Sequence, residues 1–213
     1  MKKTIYIMVV AVCLALSTGS TAFAEMDYIL DEFPIELPLG ISITTVKGTF
    51  DMVGRTELKG GDGAGEADVK NGFALSLELG KAILEKMGLG LGATYQFPRE
   101  LNESGSGNAK FNFIPFYGLV KFWTEAAGLF PFGMVQIGYN LLLGNDEFKN
   151  YSGESSALSG GLYWGLGGGV ILIGGVQLEL LYSVNNGSIT GDEPFYSMDM
   201  RYSKLSISAG ISL

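Results

Sequence analysis

The sequence predicts an all-β protein whose antiparallel strands close into an up-and-down transmembrane β-barrel of eight strands. Three observations support this fold class. Apolar residues alternate with small or polar residues along eight segments, which gives each segment one apolar face. Long polar connections alternate with short turns between these segments. After residue 24, no stretch offers the roughly 18 consecutive apolar residues that a spanning helix needs.

The first 24 residues are predicted to be a cleaved secretory signal peptide. They begin with the positive pair Lys2-Lys3, continue with an apolar run over residues 5–16, and end in Ala22-Phe23-Ala24, a typical cleavage motif. Residues 25–213 are predicted to form one barrel domain, exported to the outer membrane. The only cysteine, Cys13, lies in the signal peptide, so the barrel is expected to have no disulfide.

The first four predicted strands span residues 35–46, 72–81, 88–97 and 110–123. In the first, Ile43 belongs to the apolar parity, predicted to face outward, and Thr44 belongs to the inward parity. In the second, a phenylalanine and three leucines face outward, and Glu78 lies on the inward parity. In the third, Gln96 shares the inward parity with glycines and a threonine. The fourth is apolar on both parities, so its phase stays open.

The last four predicted strands span residues 131–143, 159–173, 176–183 and 197–213. Gln136 lies on the inward parity of the fifth, and Tyr163 shares that of the sixth with several glycines. In the seventh, Gln177 and Glu179 oppose an outward row of valine, leucines and tyrosine. In the eighth, Lys204 lies on a parity of serines and glycine, and the regular outward parity comprises Leu205, Ile207, Ala209, Ile211 and Leu213.

The connections alternate in length, as expected of an outer-membrane barrel. The four long ones, residues 47–71, 98–109, 144–158 and 184–196, are predicted to be surface loops outside the cell. The short turns are Glu85-Lys86, residues 124–128 and Gly174-Gly175, the last being a two-residue hairpin turn. Ten strands is the alternative if the first long connection contains a further hairpin, since residues 49–58 alternate loosely.

Aromatic residues are predicted to mark both membrane interfaces. Phe97, Tyr139 and Tyr182 lie near the long-loop ends of their strands. A second group surrounds a short turn and comprises Phe122, Trp123, Phe130 and Phe132. A soluble lipid-binding barrel would also alternate, but its polar face would need many charges to contact water. Here that face carries mostly glycine, alanine, serine and glutamine, which suits the narrow interior of an eight-strand barrel.

A polar network is predicted inside the barrel. Its members share the inward parity and are Glu78, Glu179, Lys204, Gln96, Gln136 and Gln177. Buried charges must be paired, so Lys204 is predicted to bridge a carboxylate, and Glu179 on the neighbouring strand is placed to meet it. The network is interpreted as a structural plug. The alternative is a gate that opens a small conductance when Lys204 changes partner.

Composition excludes several functions. Removal of Lys2-Lys3 from 14 basic residues leaves 12 against 22 acidic ones, so the exported chain is no nucleic-acid partner. The chain has no histidine, so neither a Ser-His-Asp triad nor a histidine metal site can form, and no enzyme is predicted. Neither metal nor cofactor is expected: the acids of the first long connection fit no calcium loop and are predicted to be solvated, namely Asp51, Glu57, Asp62, Glu66 and Asp68.

One segment resembles a known family. Phe111 to Tyr139, with the strings FNFIPFYGLVKFW and GLFPFGMVQIGY, is similar to the central strand–turn–strand unit of small outer-membrane β-barrels, the OmpA-transmembrane-domain and OmpX-like proteins. The resemblance implies a barrel inserted from the periplasm by the barrel-insertion machinery. It implies no one shared activity.

The sequence therefore predicts a non-enzymatic, monomeric barrel that contacts outer-membrane lipids and displays four surface loops. Its expected role is structural or interactive, in adhesion or envelope integrity. A narrow channel for ions or small solutes is the first alternative, and ten strands would favour it. A secreted soluble lipid-binding barrel is the second.

Overall fold

The structure, a computed structural model, describes residues 43–59, 65–101, 109–125, 129–151, 157–172, 175–191 and 197–212. The predicted signal peptide and residues 35–42 of the first predicted strand lie outside the described residues. One short helix, α1 (Asp146–Tyr151), is present in the described chain. No helix among these residues is long and apolar enough to cross a membrane.

Strands make up nearly all of the described chain. They are β1 (Ile43–Lys59), β2 (Gly65–Val69), β3 (Gly72–Leu84), β4 (Met87–Gln96), β5 (Arg99–Glu100), β6 (Lys110–Trp123), β7 (Phe130–Gly144), β8 (Ala157–Ile171), β9 (Val176–Thr190) and β10 (Ser197–Ser212). Consecutive long strands pair antiparallel, and β10 also pairs with β1, from Thr45↔Ser212 to Lys59↔Asp199. This last pairing closes the sheet into a barrel.

Eight strands form the ring, so the eight-strand prediction is confirmed and the ten-strand alternative is wrong. The two short strands β2 and β5 do not add further strands to the ring. One edge of β1 pairs first with β3 and then, from Gly54 to Leu58, with β2. In the same way β6 pairs with β4 over Phe116–Phe122 and with β5 at Lys110 and Phe111. Each short strand thus continues the line of a longer neighbour.

The apolar parity faces outward, as predicted, on most of the ring. On β3, Phe73 is exposed while Ala74 and Glu78 are buried. On β7, Ile137 is exposed while Gln136 is buried. A closed sheet pairs its backbone groups strand to strand, which hydrocarbon requires, and the outward leucines and aromatics supply the surface that lipid wets. The chain is a closed antiparallel transmembrane β-barrel.

The first strand differs from its prediction in position and in phase. Residues 47–59 continue β1 instead of forming a loop, and Thr45 and Lys47 are buried, so Thr44 lies on the outward parity. Charges in this segment hid the strand, because Lys47 and Asp51 look like loop residues until partners inside the barrel are known. A bulge between Asp51 and Val53 then changes the parity, so that Thr56 is buried further along.

The structure differs from the predictions at three further places. β9 continues to Thr190 rather than ending at residue 183, because β8 and β10 both extend alongside it. α1 lies in the third long connection, where no helix was predicted. Phe132 does not join an interfacial belt: it is buried inside the barrel, beneath the ammonium group of Lys121.

The short turn Glu85-Lys86 is confirmed, whereas the connection between β8 and β9 comprises residues 172–175 and not the predicted pair Gly174-Gly175 alone. Glu85-Lys86 joins β3 to β4. Between β8 and β9, the Leu172 amide donates to the Val176 carbonyl at 2.7 Å, and Gly175 adopts φ 78°, which favours glycine. Gly174 lies outside the described residues.

Candidate functional site

The barrel interior is filled by three layers of side chains. At the long-loop end lies an apolar cluster, here called the loop-end cluster, which includes Phe111, Phe113, Met200 and Tyr202. At the short-turn end lies a smaller turn-end cluster, in which Phe132, Met134 and Leu181 pack with two partly buried neighbours. Charged and polar side chains occupy the middle. The sequence predicted only this middle layer.

Lys47 is the centre of the middle layer. Its Nζ donates to Glu78 Oε1 at 2.6 Å and to Glu179 Oε2 at 2.9 Å, and all three side chains are buried. The three residues come from β1, β3 and β9, so one ammonium group ties together strands that lie on both sides of the β1–β10 seam. Neither carboxylate is left uncompensated, as burial in a low-dielectric interior requires.

Neutral groups and a second lysine complete this network. Lys121 Nζ donates to Glu78 Oε2 at 2.8 Å. The Tyr117 hydroxyl donates to Glu78 Oε1 at 3.1 Å, and the Gln136 amide donates to the same oxygen at 3.2 Å. Gln177 Nε2 donates to Glu179 Oε2 at 2.7 Å. Two lysines face two glutamates, so this part of the interior is electrically balanced.

A second cluster is centred on Asp51. Lys204 Nζ donates to Asp51 Oδ2 at 2.9 Å, Arg99 donates to the same oxygen, and the Ser206 hydroxyl donates to Oδ1. The Arg99 guanidinium also lies 5.7 Å from the centre of the Tyr202 ring. Asp51 was predicted to be solvated in a loop; it is buried because β1 extends through that segment.

Lys204 bridges a carboxylate, but the carboxylate is Asp51 and not Glu179. The register explains the difference: Lys204 lies opposite Ser183, whereas Glu179 lies opposite Ser208. Four residues along a strand separate the two positions by about 13 Å, too far for contact. Two side chains on neighbouring strands can meet only where the register places them close to each other along the strands.

All six predicted network residues are buried in the interior. Glu78, Glu179, Gln136 and Gln177 belong to the Lys47 network, and Lys204 belongs to the Asp51 cluster. Gln96 lies apart from both and reaches across to β9, where its Nε2 donates to Asn185 Oδ1 at 3.3 Å.

Four charged members were missed by the sequence analysis. Lys47 and Asp51 could have been found, since they alternate with Val46, Gly48 and Phe50 in a period of two that continues β1. Lys121 lies on β6, whose phase was open. Arg99 belongs to no alternating pattern in the sequence, because it follows a proline in a segment predicted to be a loop.

The remaining space inside the barrel is small. A cavity of about 20 Å³ lies among the polar side chains and is lined by Lys204, Ser183 and Gln96 among others. That volume holds about one water molecule. A second cavity, of about 50 Å³, lies towards the short turns beside Glu78, Lys121 and Gly80. Neither of these two cavities is large enough to hold more than a few water molecules.

The loop-side rim carries exposed ion pairs. Glu66 and Asp68 lie on β2 and contact Arg55 at 3.1 and 3.8 Å. Both side chains are exposed, so these two acids are solvated, as predicted for the loop acids. Glu100 accepts from Lys70 and Lys110, and these hydrogen bonds lower the pKa of its carboxyl group. Asp62 lies outside the described residues. Among the residues described, no group of three or more Cys, His, Asp or Glu side chains could hold a metal ion.

The chain is similar to solved outer-membrane proteins. The outer membrane protein OprG from Pseudomonas aeruginosa aligns with a TM-score of 0.51 at 16% identity, over 81% of this chain and 96% of that chain. AlkL aligns with a TM-score of 0.48 at 14% identity, over 81% and 92%. Neisserial surface protein A aligns with a TM-score of 0.47 at 12% identity, over 80% and 98%.

No protein-family model matches the chain, and no curated protein matches it. At these identities the likeness to solved structures shows the fold alone, which is that of a small outer-membrane β-barrel. Membership among the OmpA- and OmpX-like proteins stays a prediction.

Proposed function

We propose that this chain is a non-enzymatic, integral outer-membrane barrel with a closed interior, which displays four loops in a structural or interactive role. Adhesion and envelope integrity are the roles that such loops serve in this proposal. A cleaved signal peptide exports the chain, the barrel-insertion machinery inserts it, and it resides as a monomer among outer-membrane lipids.

The filled interior is the observation that carries this proposal. Two apolar clusters enclose the charged middle layer, and the cavity left within that layer holds about one water molecule. Any conducting path would have to separate buried ion pairs such as Lys47–Glu179, and unpaired buried charges cost several kcal/mol. This favours the closed barrel over the narrow channel.

The outward face supports a lipid environment. Large apolar side chains are exposed around the ring, from Phe73 on β3 to Ile207 on β10. Such a continuous apolar surface is far larger than water-soluble monomers tolerate. The soluble lipid-binding alternative requires the opposite arrangement, with the apolar parity inside.

The chemistry of the chain supports a non-enzymatic role. The sequence contains no histidine to serve as a general base or metal ligand. The buried carboxylates Glu78, Glu179 and Asp51 are each engaged by at least one cation and by neutral donors, which suits a structural function.

Planar-bilayer recordings test the closed interior. We expect the refolded wild type and the Lys204→Ala variant to give no unitary conductance steps, because the Lys47 network and both apolar clusters remain in place. Heat-modifiable migration on a detergent gel confirms that each sample is a folded barrel. Discrete steps in the wild type would establish the channel instead, and steps only in Lys204→Ala would establish the gate.

The display of loops predicts an orientation that cysteine labelling can measure. The barrel domain has no cysteine, so single substitutions report cleanly. Asp68→Cys on the loop-side rim, where the side chain is exposed, should react with a membrane-impermeant maleimide on intact cells. Lys86→Cys, in a short turn and also exposed, should react only after the outer membrane is permeabilised. The reverse pattern would show that the loops face the periplasm.

A further inference from the structure

The charges inside the barrel do not balance. The Lys47 network is neutral, but the Asp51 cluster holds one carboxylate between two cations, Lys204 and Arg99. All three side chains of this cluster are at least 95% buried. Within the described part of the chain no other acid contacts them. The cluster therefore carries one surplus positive charge in a place where water cannot screen it.

The small polar cavity adjoins this surplus charge. Lys204 lines the cavity, and its bond to Asp51 is the only hydrogen bond that the described residues give to its ammonium group. An ammonium group has three N–H donors, so two remain. Ser183, the cross-strand partner of Lys204, also lines the cavity, and its hydroxyl is fully buried without a hydrogen-bond partner among the described residues.

An amide on the opposite wall completes the lining. Gln96 is buried, and its Oε1 has no partner, while Asn185 Nδ2 beside it also has none. Half-turns of both amides let Asn185 Nδ2 donate to Gln96 Oε1 and leave an N–H group of Gln96, which lines the cavity, free to donate to a ligand. The cavity walls then carry ammonium, hydroxyl and amide donors, and also the Glu179 carboxylate, which is paired with Lys47.

We propose that this cavity binds a monatomic halide ion, of the chloride class, held by Lys204, Ser183 and Gln96. The ion neutralises the surplus charge and accepts hydrogen bonds from donors that otherwise have no partner. The size of the cavity, about 20 Å³, suits an ion that replaces one water molecule and excludes oxyanions such as sulfate. A water molecule alone would satisfy the hydroxyl but would leave the charge unbalanced.

The proposal is tested by refolding the barrel domain in detergent micelles with sodium bromide or with sodium gluconate at equal ionic strength. Bromide should raise the midpoint of thermal unfolding by about 5 °C when it is well above its dissociation constant. Crystals grown from bromide should show an anomalous peak beside Lys204 Nζ.

Three variants separate this site from a general salt effect. Lys204→Met leaves Asp51 paired with Arg99 and removes the surplus charge, so the bromide shift should vanish. Ser183→Ala keeps the charge but loses a donor, and should weaken apparent halide affinity about tenfold. Ser76→Ala is the matched control: Ser76 lines the same cavity, but its hydroxyl is bonded to Thr94 at 2.8 Å, so the full shift should remain.

Equal unfolding midpoints for the wild type in bromide and gluconate, with water alone in the cavity, would overturn the proposal. A full bromide shift in both Lys204→Met and Ser183→Ala would also overturn it, because the effect would then arise elsewhere. Should Lys204→Met fail to fold, the comparison of Ser183→Ala with Ser76→Ala still decides the outcome.

Discussion

Replacement of Lys47 by methionine is expected to lower the free energy of unfolding by about 3–5 kcal/mol, the largest loss of any lumen substitution considered. Lys47 is 2% exposed and is the only cation among the described residues that contacts Glu179. Methionine has a similar length, so the loss isolates the charge from the packing. Equilibrium urea unfolding in lipid vesicles, followed by tryptophan fluorescence, measures the effect.

A compensating substitution sharpens this prediction. Lys47→Met combined with Glu179→Gln leaves Glu78 paired with Lys121 and no carboxylate unpaired, so most of the loss should be recovered. Lys59→Met, at an exposed lysine on the same strand, should change stability by less than about 0.5 kcal/mol. A loss below about 1 kcal/mol for Lys47→Met, or a double variant as unstable as the single one, would contradict the role given to Lys47.

Arginine in place of Ile137 is expected to destabilise the barrel in lipid by about 2–4 kcal/mol. Ile137 lies at the middle of β7, is 62% exposed, and faces away from the interior. At the depth of the bilayer midplane the guanidinium group must lose its hydration or deform the membrane. The same unfolding experiment in vesicles measures this loss.

Leu143→Arg is the matched control for depth. Leu143 shares the strand, the outward parity and a similar exposure, 46%, but it lies next to the end of β7 at the loop side. There the charge can reach the headgroup region, and the cost should fall to about 0–1 kcal/mol. Equal effects at the two positions would show that the outward face does not contact a bilayer at graded depth.

The sequence was informative where one parity dominates. On β3, β4 and β7 the alternation of apolar residues with small or polar residues predicts both the strand and its phase, because only one face of each is compatible with lipid. The tight turn Glu85-Lys86 was likewise predictable from its local composition. These features depend on a few adjacent residues.

The ion pairs could not be predicted in the same way, because they depend on register between distant strands. Lys47 contacts Glu78 and Glu179, which lie 31 and 132 residues further along the chain. The shift of pairing at the Asp51/Val53 bulge also leaves no mark in the periodicity that a sequence scan could separate from a loop. The loop-end cluster was missed because β6, which carries Phe111 and Phe113, is apolar on both parities along most of its length, so its inward face could not be assigned.

Closure of the sheet between its first and last strands governs when the barrel can form. Thr45 and Ser212 pair across the seam although 167 residues separate them, so the ring cannot close until nearly the whole chain has been made. Contacts of such high sequence separation make folding slow. Until the seam forms, the two terminal strands keep open edges and the middle-layer charges lack their partners. Before closure, protection of these open edges from aggregation therefore matters more than the stability of the finished barrel.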